Sequence, residues 1–155
     1  MIKNVKASTS EVIVMAELNP CVTFAKIIKK DRQACMKSVA EYSLAPNEID
    51  VLLYLSNNPS FNTAKDICKY RGISKSLVCH SVDSLCSRGF LTIKEDPKDR
   101  RILRLTLSES SAPVLAKLKK ARQQFQASLY QGLSKEEIKA FQSVLESMIK
   151  NALSE

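Results

Sequence analysis

Apolar positions along the chain repeat with two periods, and the switch between them marks its organisation. From Cys21 to Tyr42, the positions Val22, Ala25, Ile28, Ala34, Cys35 and Val39 recur at three- and four-residue spacing, which predicts a long amphipathic helix. Asn19-Pro20 is the break that begins it, and Lys26, Lys29, Lys30, Arg32 and Lys37 supply its polar face. Pro46 fits the first turn of a second helix whose apolar positions include Ile49, Val51, Leu52 and Leu55, and Asn57-Asn58-Pro59 ends it. Thr63 and Asp66 have the spacing of a capping box, so a short helix is expected from Ala64 to Tyr70. Gly72 can take the left-handed conformation that closes such a helix. Ser74 then caps another helix to about Arg88, closed by Gly89, with Leu77, Val78, Val82 and Leu85 as its inward set.

After this helix the period falls to two. Residues 90–107 read FLTIKEDPKDRRILRLTL, in which Phe90–Lys94 and Ile102–Leu107 enclose KEDPKDRR. Leu91 and Ile93 on one flank, and Leu103, Leu105 and Leu107 on the other, alternate with polar residues as a half-buried hairpin requires. Helical spacing then returns. Ser108 reads as the cap of a helix reaching about Tyr130, with Leu115, Leu118, Phe125 and Leu129 along one side. Ser134 and Glu137 form a full capping box for a last helix striped by Ile138, Phe141, Leu145, Met148 and Ile149.

The order predicts a mainly α fold with a small β-hairpin wing, as one structural domain. A winged helix-turn-helix region (45–107) is flanked by a first dimerisation helix (20–44) and a C-terminal helical hairpin for dimerisation (108–155). Residues 1–19 are an N-terminal arm in which Glu11 to Leu18 is a short helix or an ordered segment. A lone helical hairpin has little core of its own, so its apolar stripes point to a second copy and a homodimer.

Charge narrows the class of partner. The 155 residues carry 24 Lys+Arg against 16 Asp+Glu, a net +8, which favours an acidic partner. Ten of the basic residues lie between Phe61 and Leu107 against five acids, as a phosphate-binding face needs. No apolar run approaches the ~20 residues of a membrane span, and the N-terminus lacks the apolar core and cleavage site of a secretory signal. A cytoplasmic protein without membrane association is expected. The five cysteines are odd in number and contain no C-x-x-C pair, so reduced thiols are expected rather than a disulfide framework or zinc site. His80 is the only histidine. A Gly-rich phosphate loop, a metal motif and a spaced nucleophile–base set are all missing, so neither an enzyme nor a resident cofactor is expected.

The candidate reading residues fall on two elements. Ser74, Lys75, Ser76, Cys79 and His80 cluster in the N-terminal half of the second helix of the helix-turn-helix, where side chains meet base edges in the major groove. Lys98, Asp99, Arg100 and Arg101 crowd the tip of the hairpin, placed for the neighbouring minor groove, whose negative potential attracts Arg. Asp99, two residues before Arg101, has the spacing to brace the guanidinium by a bidentate hydrogen bond. The same features admit a winged-helix protein–protein module or a nonspecific duplex-binding protein. A specific regulator differs from the latter by its preference for one sequence.

The stretch GISKSLVCHSVDSLCSRGFLTIKEDPKDRRILRLTLSES, from Gly72 to Ser110, resembles the core of the MarR family of bacterial transcription regulators. LAPNEIDVLLYL, from Leu44 to Leu55, resembles that family's second helix, and the order of elements from Cys21 onward agrees. The D-P-x-D-R-R tip is the most specific part. The resemblance implies a homodimer built from the first and last two helices, whose winged domains bind double-stranded DNA at a pseudo-palindromic operator. It implies that Arg101 enters the minor groove braced by Asp99, and that a small aromatic ligand can release the DNA of what would be a repressor. Cys79-His80 stands where the family usually has Thr or Ser followed by Arg, Lys or Asn, so base preference does not carry over. Ala45 and Ser111 replace a common Thr cap and a common Gly. Cys21 occupies the place of the reactive cysteine in the peroxide-sensing branch, which makes it a candidate redox sensor, but Ala25 and Cys35 fill the positions of that branch's two tyrosines.

Overall fold

A computed structural model describes residues 19–154, so the expected N-terminal arm lies outside the described residues apart from Asn19. Helix α1 (Pro20–Ser38) starts where the Asn19 carboxamide accepts from the Cys21 amide at 3.0 Å and the Val22 amide at 3.4 Å. It is shorter than its apolar spacing suggests. Val39 leaves the helical conformation at φ −125°, and a 3-10 turn (Ala40–Tyr42) follows. The break lets Val39 enter the core while Tyr42 packs edge-on against Phe90, with ring centroids 6.2 Å apart. Ser43, at φ 47°, then reverses the chain.

Helix α2 (Pro46–Asn57) is the centre of the molecule, with every residue from Glu48 to Leu55 buried. It touches α1, both helices of the helix-turn-helix, the second strand and α5, which is why its run from Val51 to Leu55 is apolar on every side. Helix α3 (Ala64–Arg71) opens with the expected box: Asp66 N–H donates to Thr63 Oγ1, and Thr63 N–H donates to Asp66 Oδ2, both at 3.1 Å. Gly72, at φ 63°, closes it, and Ser74 caps α4 (Lys75–Ser87) by accepting from the Leu77 amide. A β-branched or bulky residue at Gly72 would be strained, because only glycine adopts that φ freely.

Strands β1 (Leu91–Glu95) and β2 (Leu103–Leu107) pair antiparallel, with Leu91 opposite Leu107 and Ile93 opposite Leu105. Only the root of this ribbon is covered. Leu91 and Leu105 are buried, whereas Ile93 and Leu103, expected on the sheltered side, are exposed because the ribbon runs past the edge of the body. Beyond it, Ser108 does not cap a long helix directly. It precedes a 3-10 turn (Glu109–Ser111), and the Ser108 and Ser110 hydroxyls both donate to the Gly89 carbonyl, tying the end of the wing to its start. Helix α5 (Ala112–Leu129) then packs on α1 and α2. Helix α6 (Lys135–Ala152) begins at the Ser134–Glu137 box and buries none of its residues.

The core joins Leu52 of α2, Ile67 of α3, Leu85 of α4 and Leu118 of α5, all fully buried. Each such side chain is worth roughly 1.5–3 kcal/mol by burial alone. Cys35 and Val39 continue it into α1. Val22 and Ile28, assigned by spacing to the same stripe, are exposed. No helix among the described residues is long and apolar enough to cross a membrane.

Candidate nucleic-acid interface

Two buried acids on α2 hold the reading unit in place. Glu48 Oε2 accepts from the Ala45 amide at 2.7 Å, so the Glu supplies its half of a capping box while the Ala side chain returns none. Its other oxygen accepts from the Ser84 hydroxyl on α4, and Arg88 lies 3.5 Å away. Arg88 also donates to the Tyr42 carbonyl and covers the Phe90 ring at 5.3 Å. Asp50 pairs with Arg32 of α1 at 2.9 Å and with Arg71, the last residue of α3, at 2.5 Å. One carboxylate thus links the first helix to the turn of the helix-turn-helix. Neither acid was singled out from the sequence. The readable signal was an acid inside the otherwise apolar run LAPNEIDVLLYL, since a buried charge needs partners.

On α4, Val78, Val82 and Leu85 are inward as expected, but Leu77 is 47% exposed. Ser81 is buried in its stead, its hydroxyl donating back to the Leu77 carbonyl at 2.8 Å. Ser74, Lys75, Ser76, Cys79 and His80 are all exposed, together with Leu77, in the first half of the helix. Burial pushes the Cys86 thiol, one helical stripe along from Cys79, above its ordinary value, with Asp83 adding to the shift.

At the wing tip the organising residue is Asp96. Its carboxylate accepts from the Lys98 amide at 2.8 Å, the Asp99 amide at 3.3 Å and Arg104 Nε at 2.8 Å. The Lys98 amide first, and the Arg104 guanidinium after it, hold this carboxyl below the usual carboxylate range. Arg104 also donates to Asn62 Oδ1 at 3.1 Å, and Leu105 N–H to the Asn62 carbonyl at 2.8 Å, so the loop before α3 anchors β2. Asp99 Oδ1 receives both the backbone N–H of Arg101 at 3.0 Å and its Nε at 3.3 Å. The brace therefore runs through one carboxylate oxygen and is not bidentate. It leaves the end of the Arg101 side chain, 92% exposed, free to meet a partner. Arg100 is 91% exposed and stands 4.0 Å from Glu95.

Of the ten basic residues counted between Phe61 and Leu107, Arg71, Arg88 and Arg104 are committed to internal acids. Seven remain for an outside partner. Lys98, Arg100 and Arg101 form the wing's share, and Lys75 stands on α4.

Cys21 is exposed in the first turn of α1, while Cys35, in one of the two tyrosine positions named above, is buried. Burial, then the nearby Asp31 charge, pushes the Cys35 thiol up, away from reactivity. Among the described residues no group of three His, Cys, Asp or Glu side chains is placed to hold a metal ion.

A helix-turn-helix, a basic hairpin beside it and a polar outer face on its second helix define a winged helix-turn-helix protein. Residues 42–102 match the model of the MarR family, and solved structures share the fold over most of the chain. A MarR transcriptional regulator from Methanosarcina mazei Go1 superposes with a TM-score of 0.73 at 19% identity, covering 85% of this chain and 94% of that one. CouR from Rhodococcus jostii RHA1, solved bound to p-coumaroyl-CoA, gives 0.70 at 17% identity, over 84% and 92% of the two chains. Bordetella bronchiseptica BpsR, whose DNA binding is regulated by 6-hydroxynicotinic acid, gives 0.65 at 20% identity, over 84% and 93%. No curated protein matches the chain by sequence.

Proposed function

We propose that the protein is a homodimeric, sequence-specific DNA-binding transcription regulator, acting as a repressor that an effector releases. The observation that carries this reading is the pairing of an exposed, Asp99-braced Arg101 on the wing with the exposed Ser74–His80 face of α4. The first is built for a minor groove and the second for the adjacent major groove. The test is binding to DNA from upstream of the protein's own gene, against a shuffled duplex, titrated with salt. A specificity gap of ~10³ or more with a steep salt slope is expected. Equal affinity for both duplexes, together with no enriched sequence in a genome-wide selection of bound fragments, would leave a nonspecific binder or a protein-docking module.

The dimer reading is supported by the face of α6. Phe141, Val144, Met148 and Ile149 are each at least 40% exposed, as are Val22 and Ile28 of α1. A contiguous apolar stripe of that kind marks an interface. Val144→Glu is expected to shift the chain from dimer to monomer in sedimentation and to lose operator binding with it. A monomeric wild type, or an unaffected Val144→Glu, would refute the assignment.

Effector release is supported by an open cleft of about 250 Å³ between α2, α3 and α5, lined by Tyr54, Asn57, Tyr70, Arg71 and Arg122. The Tyr54 hydroxyl is buried there without a hydrogen-bond partner among the described residues. Arg71 on its wall is the Asp50 partner, so a ligand bound there would sit one residue from the Gly72 turn. BpsR and CouR respectively respond to and bind aromatic molecules, and a small aromatic acid fits the same chemistry here. Thiol oxidation is a second route, because Cys21 is exposed. Cys21→Ser is expected to abolish peroxide-induced release in a mobility-shift assay, and full retention of that release would remove Cys21 as the sensor.

A further inference from the structure

We propose that Leu77 is a specificity-determining residue that reads the C5-methyl group of a thymine in the major groove. The inference rests on the DNA-binding reading above. Leu77 lies in the first turn of α4, with Ser76 before it and His80 one turn on, and all three are exposed. At 47% exposure it adds little to the core, whose α4 side is complete with Val78, Ser81, Val82 and Leu85. Residues three apart on a helix share a side, so Leu77 and His80 form one apolar–polar pair at the end of the helix that enters the groove. The major groove offers one apolar group, the thymine methyl, and it is otherwise dressed in donors and acceptors. Lys75, Ser76 and His80 answer those polar groups. Leu77 is the branched apolar side chain among them. Helix propensity does not explain it, since Ala favours the helix at least as well.

The test uses the full chain and the operator that the wild type itself selects from random duplexes. Each thymine is replaced in turn by uracil, which deletes only the methyl. At one thymine position per half-site the replacement is expected to weaken the wild type roughly fourfold per methyl, or about fifteenfold for both half-sites together, from the burial of one carbon each. Leu77→Ala should bind the thymine operator about that much more weakly, and should bind the uracil operator no worse than the thymine one. That loss of sensitivity is the coupling a double-mutant cycle isolates. Leu77→Met, which keeps an apolar side chain, should stay sensitive. Wild-type indifference to every replacement, or full sensitivity kept in Leu77→Ala, would overturn the proposal while leaving the DNA-binding reading intact. Selection that enriches no sequence would overturn both.

Discussion

Replacing Arg101 with Ala should weaken operator binding by roughly 30- to 1,000-fold, while the dimer and the thermal stability stay as they are. The side chain is 92% exposed, and its one hydrogen bond and ion pair among the described residues is with Asp99, so the fold has almost nothing to lose. A well-placed Arg in a groove is worth about 1–2 kcal/mol, and a dimer places two, which sets the range. Two further readouts separate groove insertion from simple attraction to phosphate. The salt slope should fall by about two ions, one for each wing. Arg101→Lys should recover only part of the loss, because an ammonium keeps the charge but not the planar fork. Asp99→Asn should cost less than Arg101→Ala, since the backbone N–H of Arg101 can still bond the Asn carbonyl and the guanidinium remains. Unchanged affinity in Arg101→Ala would remove the wing from the interface. A loss fully rescued by Lys would reduce its role to charge.

What was legible in the sequence was whatever is decided locally. The Thr63–Asp66 and Ser134–Glu137 boxes, the Ser74 cap and the glycines at 72 and 89 bound their helices where their side chains or φ values dictate. The two-residue period found the hairpin, and Asp99 two residues before Arg101 found the brace. What failed was anything that depends on where an element ends relative to the body. Ile93 and Leu103 keep the right alternation yet project beyond the core, and Val22 and Ile28 keep helical spacing on a stretch of α1 that the chain's own core does not cover. Leu77 fails in the same way: its spacing fits the inward set, but Ser81, bonded to its own helix, occupies the buried place. Charge counting failed for a related reason. Arg71, Arg88 and Arg104 look like phosphate ligands in a list of basic residues, and only the fold shows that Asp50, Glu48 and Asp96 claim them. The acids that do so sit in apolar or turn-forming stretches, where periodicity assigns them no role.

Glu48 is where that internal bonding carries the most stability, and Glu48→Ala should destabilise the protein by about 2–3 kcal/mol. The carboxylate accepts from the Ala45 amide and the Ser84 hydroxyl and stands 3.5 Å from the Arg88 guanidinium, at the point where α2 begins and α4 crosses it. Losing the helix-start bond costs about 1 kcal/mol. Leaving the Ser84 donor beside a buried cavity adds about 1–2 kcal/mol. Arg88 offsets little, because its side chain is one-third exposed and stays bonded to the Tyr42 carbonyl. Against these losses stands the relief of no longer burying a charge, which keeps the sum well below the 3–5 kcal/mol of a fully enclosed broken pair. For a chain of 155 residues the midpoint of thermal unfolding should fall by roughly 5–10 °C at a fixed chain concentration. Glu48→Gln should recover only part, since its NH2 group brings one more donor to a site already crowded with donors. Operator affinity should fall in Glu48→Ala even where the protein is fully folded, because Ser84 and Arg88 fix the C-terminal half of the helix whose other half faces DNA. A stability loss under about 0.5 kcal/mol would show that Glu48 only fills space. A full stability loss with wild-type DNA affinity would show that α4 is positioned by its apolar face alone.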